Sequence, residues 1–170
     1  MLPNEIWWPA SLAAISRIGA VVVPVNHGYR PADLRHVLDD SGARVLIVPR
    51  AAADVAGDVV VAIDHEIVVV SFDSGCGPSV ADWSAVADDP EPGDLGPEPG
   101  ADDLCSLQYT SGTTGFPKAC MLTHGYWTQV GRVAVQHASL GPDDVILAAA
   151  PFSYMDPQWN LMAAVLSGCC

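Results

Sequence analysis

The amino-acid sequence predicts an α/β fold in which a parallel sheet is flanked by helices. Helix and strand patterns alternate along the first 50 residues, and a strand, a helix and a second strand fit within about 30 residues, the length of a βαβ unit. The strand segments are continuous apolar runs, which are typical of strands buried on both faces. Hydrophobic residues make up 50% of the 170-residue chain, which is enough to bury a core.

The first helix is expected from Pro9 to Ile18. Its apolar residues Leu12, Ile15 and Ile18 recur at the spacing of one helical face. Gly19 follows at a position where glycine can end a helix in the left-handed conformation. The apolar run at residues 20–25 is then predicted to be the first strand.

A second helix is expected to begin at Pro31, because proline suits the first turn of a helix, and to end at Gly42. Residues 43–48 give the next strand, so that residues 20–48 form a βαβ unit with a right-handed crossover. The apolar face of this helix consists of Leu34, Val37 and Leu38.

Residues 51–72 allow two interpretations. Residues 59–63 alone would suit a strand, and residues 66–72 predict a strand more firmly. Alternatively, residues 51–64 fit a helix whose inward face would consist of Ala52, Val55, Val59 and Ile63.

Four prolines and three glycines between residues 88 and 103 predict a loop or linker. We therefore interpret residues 1–170 as a single incomplete domain with three portions: a βαβ-type portion (1–87), an acidic Pro/Gly loop (88–103) and a last portion (104–170). That last portion predicts, in order, a strand (104–110), a glycine-rich loop (111–118), a short strand (119–122), a helix capped by Thr123 that runs to residue 139, a strand (145–150) and a helix (157–166).

The net charge of −13 arises entirely between residues 51 and 103, where thirteen Asp and Glu residues occur without any Lys or Arg. Such a surface repels nucleic acid and anionic membranes, so neither is expected as a partner. The acidic stretch is either a solvated face or a docking patch for a basic partner.

The sequence predicts an intracellular, cytoplasmic protein. Its longest apolar runs are far shorter than the roughly 20 residues of a membrane span, and no signal peptide is evident. An odd number of cysteines without a C-x-x-C pattern indicates free thiols in a reducing compartment, and no metal site is predicted from them; they are Cys76, Cys105, Cys120, Cys169 and Cys170. The oligomeric state is left open.

The segment Y-T-S-G-T-T-G-F-P-K, residues 109–118, carries the chemistry of the sequence. Gly112 and Gly115 allow the backbone to turn tightly and to present successive N–H groups, which bind anions. Lys118, the single lysine of the chain, ends the segment, and hydroxyl donors come from Thr110, Ser111, Thr113 and Thr114. These groups predict a triphosphate site, and the alternative is a polar hairpin loop that binds nothing.

This loop is not a Walker A loop, which requires Gly immediately before the lysine and Ser or Thr after it. Here Pro117 precedes Lys118 and Ala119 follows it. A P-loop phosphotransferase is therefore disfavoured.

The ten-residue segment, followed by M-L-T-H, closely resembles the phosphate loop of the adenylate-forming (AMP-binding) superfamily, which includes acyl-CoA synthetases, luciferases and the adenylation domains of peptide synthetases. The segments R-I-G-A-V-V-V-P-V-N (17–26) and D-S-G-A-R (40–44) resemble the family as well, as does the stretch at 151–159 that corresponds to an acyl-pocket segment. The resemblance implies a partial N-terminal domain of an adenylate-forming enzyme.

The resemblance also implies an activity: a carboxylic acid is activated by ATP as an acyl-adenylate, with Mg²⁺, and is then transferred to a thiol such as that of CoA. The residues implied to bind phosphate are Thr110, Ser111, Gly112, Thr113, Thr114, Gly115 and Lys118. The stretch at 155–159 favours a CoA ligase over a peptide-synthetase module. The catalytic residues are left unknown.

The sequence departs from the family pattern at three positions. Ala119 stands where most members have Gly after the loop lysine, and Pro157 replaces a Gly of the acyl-pocket segment. Tyr154 stands where many members have His, so it is a candidate acyl-pocket residue without the chemistry of a histidine.

The later motifs of the family would lie beyond residue 170, so we expect the chain to be about a third of such an enzyme. The isolated chain is expected neither to form adenylates nor to fold completely. The alternative is a truncated, non-catalytic nucleotide-binding module. The remaining histidines, His27, His36, His65 and His137, are scattered and indicate no site.

Overall fold

The computed structural model describes residues 1–73, 80–82, 93–110 and 117–170. The helices among them are α1 (Trp7–Arg17), α2 (Pro31–Ser41), a 3₁₀ turn (Arg50–Ala52), α3 (Ala53–Val60), α4 (His124–Ala138) and α5 (Met155–Ser167). The strands are β1 (Val45–Val48), β2 (Val68–Ser71), β3 (Val80–Asp82), β4 (Leu104–Thr110) and β5 (Lys118–Thr123).

The strands β1, β2 and β3 form a parallel sheet in that order, which confirms the predicted α/β class. Leu46 and Val48 of β1 and Val69 of β2 point to one face of this sheet, where they are buried against α2 and α3. The apolar runs of the sequence therefore become a sheet with helices on its inner face.

Helix α2 confirms the prediction made for it. Pro31 occupies the first turn, and Gly42 ends the helix with a φ of +63°, in the left-handed region. Its buried face consists of Leu34, Val37 and Leu38, each 0–1% exposed. Helix α1 is likewise followed by a left-handed glycine, Gly19, with a φ of +70°.

The ambiguous stretch after β1 is a helix, α3. Val59 points inward as predicted, whereas Val55 is 44% exposed, so its predicted inward position was wrong. The inward face of α3 is centred on Ala56, and Val55, as the neighbouring residue of an α-helix, is rotated about 100° away from that centre. That face consists of Ala53, Ala56 and Val59.

The predicted strand at residues 20–25 is wrong, since within the described part of the chain only Val22 of this segment forms a bridge to a neighbour. Its N–H donates to the carbonyl of Cys105 at 2.9 Å, and its carbonyl accepts from the N–H of Leu107 at 2.9 Å. In a parallel ladder the next donor along this segment would be residue 24. Pro24 has no N–H, so the ladder stops after one bridge.

The predicted buried strand at residues 145–150 is also wrong. The segment is not a strand, and Val145 and Leu147 are 80% and 91% exposed. Its backbone pairs with residue 170, because Ile146 N–H donates to the Cys170 carbonyl at 2.6 Å and Cys170 N–H donates to the Asp144 carbonyl at 3.2 Å. A strand needs a neighbouring strand along its length, and none lies beside this segment in the described part of the chain.

The last portion of the chain combines an antiparallel hairpin of β4 and β5 with the two packed helices α4 and α5. Thr123 caps α4 as predicted, accepting a hydrogen bond from the Tyr126 N–H at 3.2 Å. Residues 93–103, from the predicted acidic loop, contain neither helix nor strand, and residues 88–92 lie outside the described residues. No described helix has the length and apolar character that crossing a membrane requires.

Candidate functional site

The hairpin of β4 and β5 places the two ends of the predicted phosphate loop side by side. Thr110, the last residue of β4, is the cross-strand partner of Lys118, the first residue of β5. The Thr110 hydroxyl lies 3.5 Å from the Lys118 carbonyl. Five of the predicted phosphate-binding residues lie outside the described residues, between these two ends: Ser111, Gly112, Thr113, Thr114 and Gly115.

The ammonium group of Lys118 is exposed to solvent. Among the residues that the structure describes, the ion pairs are Arg17–Glu98 and Arg30–Asp33, and neither involves Lys118. Lys118, the single lysine of the chain, thus has no ion-pair partner within the described residues, and its charge lies at the base of the hairpin, where an anion could bind.

Helix α2 contacts the hairpin just before the loop. The Tyr109 hydroxyl donates a hydrogen bond to Oδ2 of Asp40 at 2.6 Å, a length typical of bonds to a carboxylate. Burial, together with this bond and the negative charge of Asp40, raises the pKa of Tyr109. The phenol therefore stays protonated and continues to donate at neutral pH.

The same helix also contacts the chain at Pro117, one residue before β5. Nε2 of His36 lies 2.9 Å from the carbonyl oxygen of Pro117, which can only accept a hydrogen bond. The His36 ring also meets the Tyr109 ring edge-on, with a centroid distance of 6.4 Å and an angle of 84° between the ring planes.

Tyr154, the candidate acyl-pocket residue, lies immediately before α5 and is 55% exposed. Its hydroxyl accepts a hydrogen bond from Nδ2 of Asn26 at 3.3 Å. Its carbonyl accepts from Nε2 of Gln158 at 3.1 Å, and the buried Gln158 is in turn bonded to Gln108 of β4. The structure therefore links Tyr154 to the loop-bearing strand through Gln158, without a hydrogen bond from Tyr154 to Thr110 or Lys118 among the described residues.

Comparison with known proteins identifies the family to which this chain belongs. The family model described as AMP-binding enzyme matches residues 1–170. The chain belongs to the AMP-binding enzyme family. The prediction made from the phosphate loop and the flanking segments is confirmed.

Two curated relatives of this chain have names that refer to aromatic acids. A feruloyl-CoA synthase of Amycolatopsis sp is 37% identical over 149 residues, which cover 88% of this chain and 27% of the relative. A 3-hydroxybenzoate–CoA ligase of Aromatoleum sp. (strain CIB) is 32% identical over 157 residues, which cover 89% of this chain and 28% of the relative. The chain therefore spans less than a third of the length of these curated relatives.

Solved structures of the family match the fold along nearly the whole AMP-binding chain. The anthranilate CoA ligase AuaEII, in complex with anthranoyl-AMP, matches 99% of this chain and 33% of its own, with a TM-score of 0.90 and 24% identity. MbtA from Mycobacterium smegmatis matches 99% of this chain and 32% of its own, with a TM-score of 0.84 and 29% identity. These matches confirm the predicted fold of an N-terminal portion of an adenylate-forming enzyme.

The sequence did not predict the residues of α2 that contact the loop. His36 showed no pattern that indicated a site, and Asp40 was noted only as part of a family segment. Their spacing of four residues places them on one face of a helix, but nothing in the sequence shows that this face contacts the hairpin. The buried pair Gln108 and Gln158 gave no signal at all in the sequence.

Proposed function

We propose that this chain is part of an ATP-dependent acid–thiol ligase of the acyl-CoA synthetase type. The observation that carries the proposal is the exposed Lys118, without an ion pair to any described residue, at the base of the hairpin and the end of the loop Y-T-S-G-T-T-G-F-P-K. The names of the curated relatives, which are CoA synthases and CoA ligases, support the same reaction class.

The first step would be attack by a carboxylate on ATP. A carboxylate oxygen forms a bond to the α-phosphorus, while the bond from that phosphorus to the oxygen that bridges to the β-phosphate breaks. Pyrophosphate leaves with the electron pair, and negative charge grows on its oxygens. Hydrogen-bond donors and a cation placed at these oxygens stabilise this charge, so the loop would act through position and electrostatics.

The residues that we assign to the phosphates are those predicted from the sequence: Thr110, Ser111, Gly112, Thr113, Thr114, Gly115 and Lys118. Thr110 and Lys118 lie at the two ends of the loop and would set the width of its opening. In the second step the sulfur of a thiol, which we propose to be CoA, bonds to the acyl carbon, AMP leaves with the electron pair, and the thiol proton passes to solvent.

Mg²⁺ would accompany ATP as the counter-ion of its phosphates. Among the described residues no three acidic, His or Cys side chains lie close enough to hold a metal ion. Asp40, the carboxylate of α2 that contacts the hairpin, is bonded to Tyr109. We therefore assign no Mg²⁺ ligand to the described residues.

Tyr154 is our candidate for the acyl-acid side of the site. Its exposed ring precedes α5, and the buried Gln158 holds its carbonyl next to β4. An aromatic ring that is fixed at its backbone offers a flat apolar surface to a carboxylic acid, and the names of the two curated relatives favour an aromatic acid.

We retain the division into portions 1–87, 88–103 and 104–170 of one incomplete AMP-binding domain, and the prediction that these 170 residues alone form no adenylate. This view is supported by the coverage, because the chain spans less than a third of the length of the curated relatives. A cytoplasmic location is also proposed. The free thiols of the four cysteines within the described residues, Cys105, Cys120, Cys169 and Cys170, are in keeping with it.

The test is acid-dependent exchange of labelled pyrophosphate into ATP, measured on the protein at its natural length. Ferulate, 3-hydroxybenzoate, anthranilate and a long-chain fatty acid form the panel of acids. The proposal predicts exchange with at least one acid, followed by AMP release when CoA is added. ATP binding without exchange for any carboxylic acid would instead indicate a non-catalytic nucleotide-binding module.

A further inference from the structure

Helix α2 contacts the candidate phosphate loop at both of its ends. Asp40 bonds to Tyr109, which precedes Thr110, and His36 bonds to Pro117, which precedes Lys118. His36 and Asp40 are four residues apart and share one face of the helix. A single helical face therefore contacts the chain near both ends of the loop, at Tyr109 and at Pro117.

Both contacts have a fixed direction. The Tyr109 hydroxyl donates to the Asp40 carboxylate, which only accepts when ionised. The Pro117 carbonyl accepts, so Nε2 of His36 must carry the proton and donate. Neither bond depends on a nucleotide, so both can hold the loop ends before ATP arrives.

Helix α2 is itself firmly anchored. Leu34, Val37 and Leu38 on its opposite side are buried in the core beneath the parallel sheet. Across the hairpin, by contrast, the side-chain contact between the two loop ends is the 3.5 Å approach of the Thr110 hydroxyl to the Lys118 carbonyl, at the outer limit of a hydrogen bond. The backbone ladder of β4 and β5 pairs Thr110 with Lys118, and α2 adds the two shorter side-chain bonds from His36 and Asp40.

We propose that His36 and Asp40 are positioning residues that fix Pro117 and Tyr109, the neighbours of Lys118 and Thr110, and so hold Lys118 and Thr110 in place for the β- and γ-phosphates of ATP. The inference rests on the proposed function. Without these bonds Thr110 and Lys118 occupy the binding position in only a fraction of the molecules, and the apparent affinity for ATP falls in proportion to that fraction. The chemical step within the bound complex is unchanged.

The test compares three variants that break the bonds with three that retain them, in the protein at its natural length. Asp40→Ala and Tyr109→Phe remove the same bond, between Tyr109 and Asp40, the first by deleting the acceptor and the second by deleting the donor. His36→Leu removes the bond between His36 and Pro117. Asp40→Asn keeps an acceptor and His36→Gln keeps a donor. Asp39→Ala is the matched control, because Asp39 is an exposed carboxylate on the same helix.

Two quantities are measured: hydrogen–deuterium exchange of the peptide that covers residues 109–118, without nucleotide, and the KM for ATP against kcat. For the three bond-breaking variants we expect exchange about tenfold faster and a KM for ATP about tenfold higher, with kcat within about twofold. The other three variants should match the wild type. The proposal is overturned if all three bond-breaking variants have the same exchange rate and the same KM for ATP as the control Asp39→Ala.

The two readouts separate this inference from the proposed function. If the wild type shows no response to ATP, the proposed function fails, yet exchange in the nucleotide-free protein still reports whether α2 fixes the loop. If Asp40→Ala loses protection in β1 and β2 as well, it has unfolded, and Tyr109→Phe then decides because it removes the same bond while Asp40 stays in place.

Discussion

Gln108 of β4 and Gln158 of α5 form a buried amide pair, in which Nε2 of Gln108 donates to Oε1 of Gln158 at 2.7 Å. Gln158 then donates from its own Nε2 to the carbonyls of Phe152 and Tyr154, at 2.8 and 3.1 Å. The two side chains are 3% and 0% exposed. One buried side chain thus ties the segment before α5 to the strand that leads into the phosphate loop.

Replacing Gln158 with Leu should destabilise the fold. The change leaves the Gln108 amide and two carbonyls without their partner, and each unsatisfied buried group costs roughly 1–3 kcal/mol. Urea denaturation should therefore show a free energy of unfolding lower by at least about 3 kcal/mol. Gln136→Leu, on the exposed face of α4, is the control and should change stability by less than about 0.5 kcal/mol. Equal effects of the two substitutions would refute the role of the pair.

Gly131 sets the distance between α4 and α5. A Cβ at this position would lie 2.7 Å from Cδ1 of Leu166 and 3.0 Å from Cβ of Met162. We expect Gly131→Ala to lower the free energy of unfolding by about 1–3 kcal/mol through overpacking, in spite of the better helix propensity of alanine.

Gly57→Ala in α3 is the matched control for Gly131→Ala, because a Cβ at Gly57 meets no atom within 4 Å. This substitution should stabilise the protein by about 0.5–1 kcal/mol, the helix propensity gain alone. Thermal or urea unfolding measures both variants, and a stabilised Gly131→Ala variant would contradict the close packing of the two helices.

The Tyr109 phenol should ionise only above its ordinary pKa of 10.0, because burial and the Asp40 carboxylate both disfavour the phenolate. A group whose pKa is raised by folding contributes stability that is complete below the unfolded pKa and is lost as the pH rises towards the folded pKa. The Tyr109 contribution should therefore be intact below pH 10 and should decline above it. The ultraviolet titration curve of Tyr109→Phe, subtracted from that of the wild type, gives the ionisation of Tyr109 alone. If Tyr109 ionises at or below pH 10, the bond to Asp40 is absent in solution.

The sequence predicted those elements whose signals are local. Pro31 and Gly42 bound α2, and the apolar residues between them repeat at helical spacing, so the helix and its buried face followed from neighbouring residues. Residues 20–25 and 145–150 have equally apolar runs but form no strand. Strand formation depends on a partner and on backbone donors, and Pro24 removes one such donor next to β4.

The residues of the candidate site likewise differ in whether local sequence predicts them. Thr110 and Lys118 could be predicted because they belong to one continuous segment. His36 and Asp40 could not, because their contacts to Pro117 and Tyr109 join residues 81 and 69 positions apart. Tertiary packing brings α2 and the hairpin together, and no periodicity or motif within either segment predicts that contact.

Acid-dependent pyrophosphate exchange by Lys118→Met, in the protein at its natural length, tests the central claim most directly. The substitution removes a cation without a large change in shape, and Arg132→Met, on the exposed surface of α4, removes a cation elsewhere. If Lys118 holds the departing phosphates, exchange should fall by about 100-fold or more in Lys118→Met and by less than about twofold in Arg132→Met. Exchange by Lys118→Met at the wild-type rate would contradict the assignment of this loop to the phosphates of ATP.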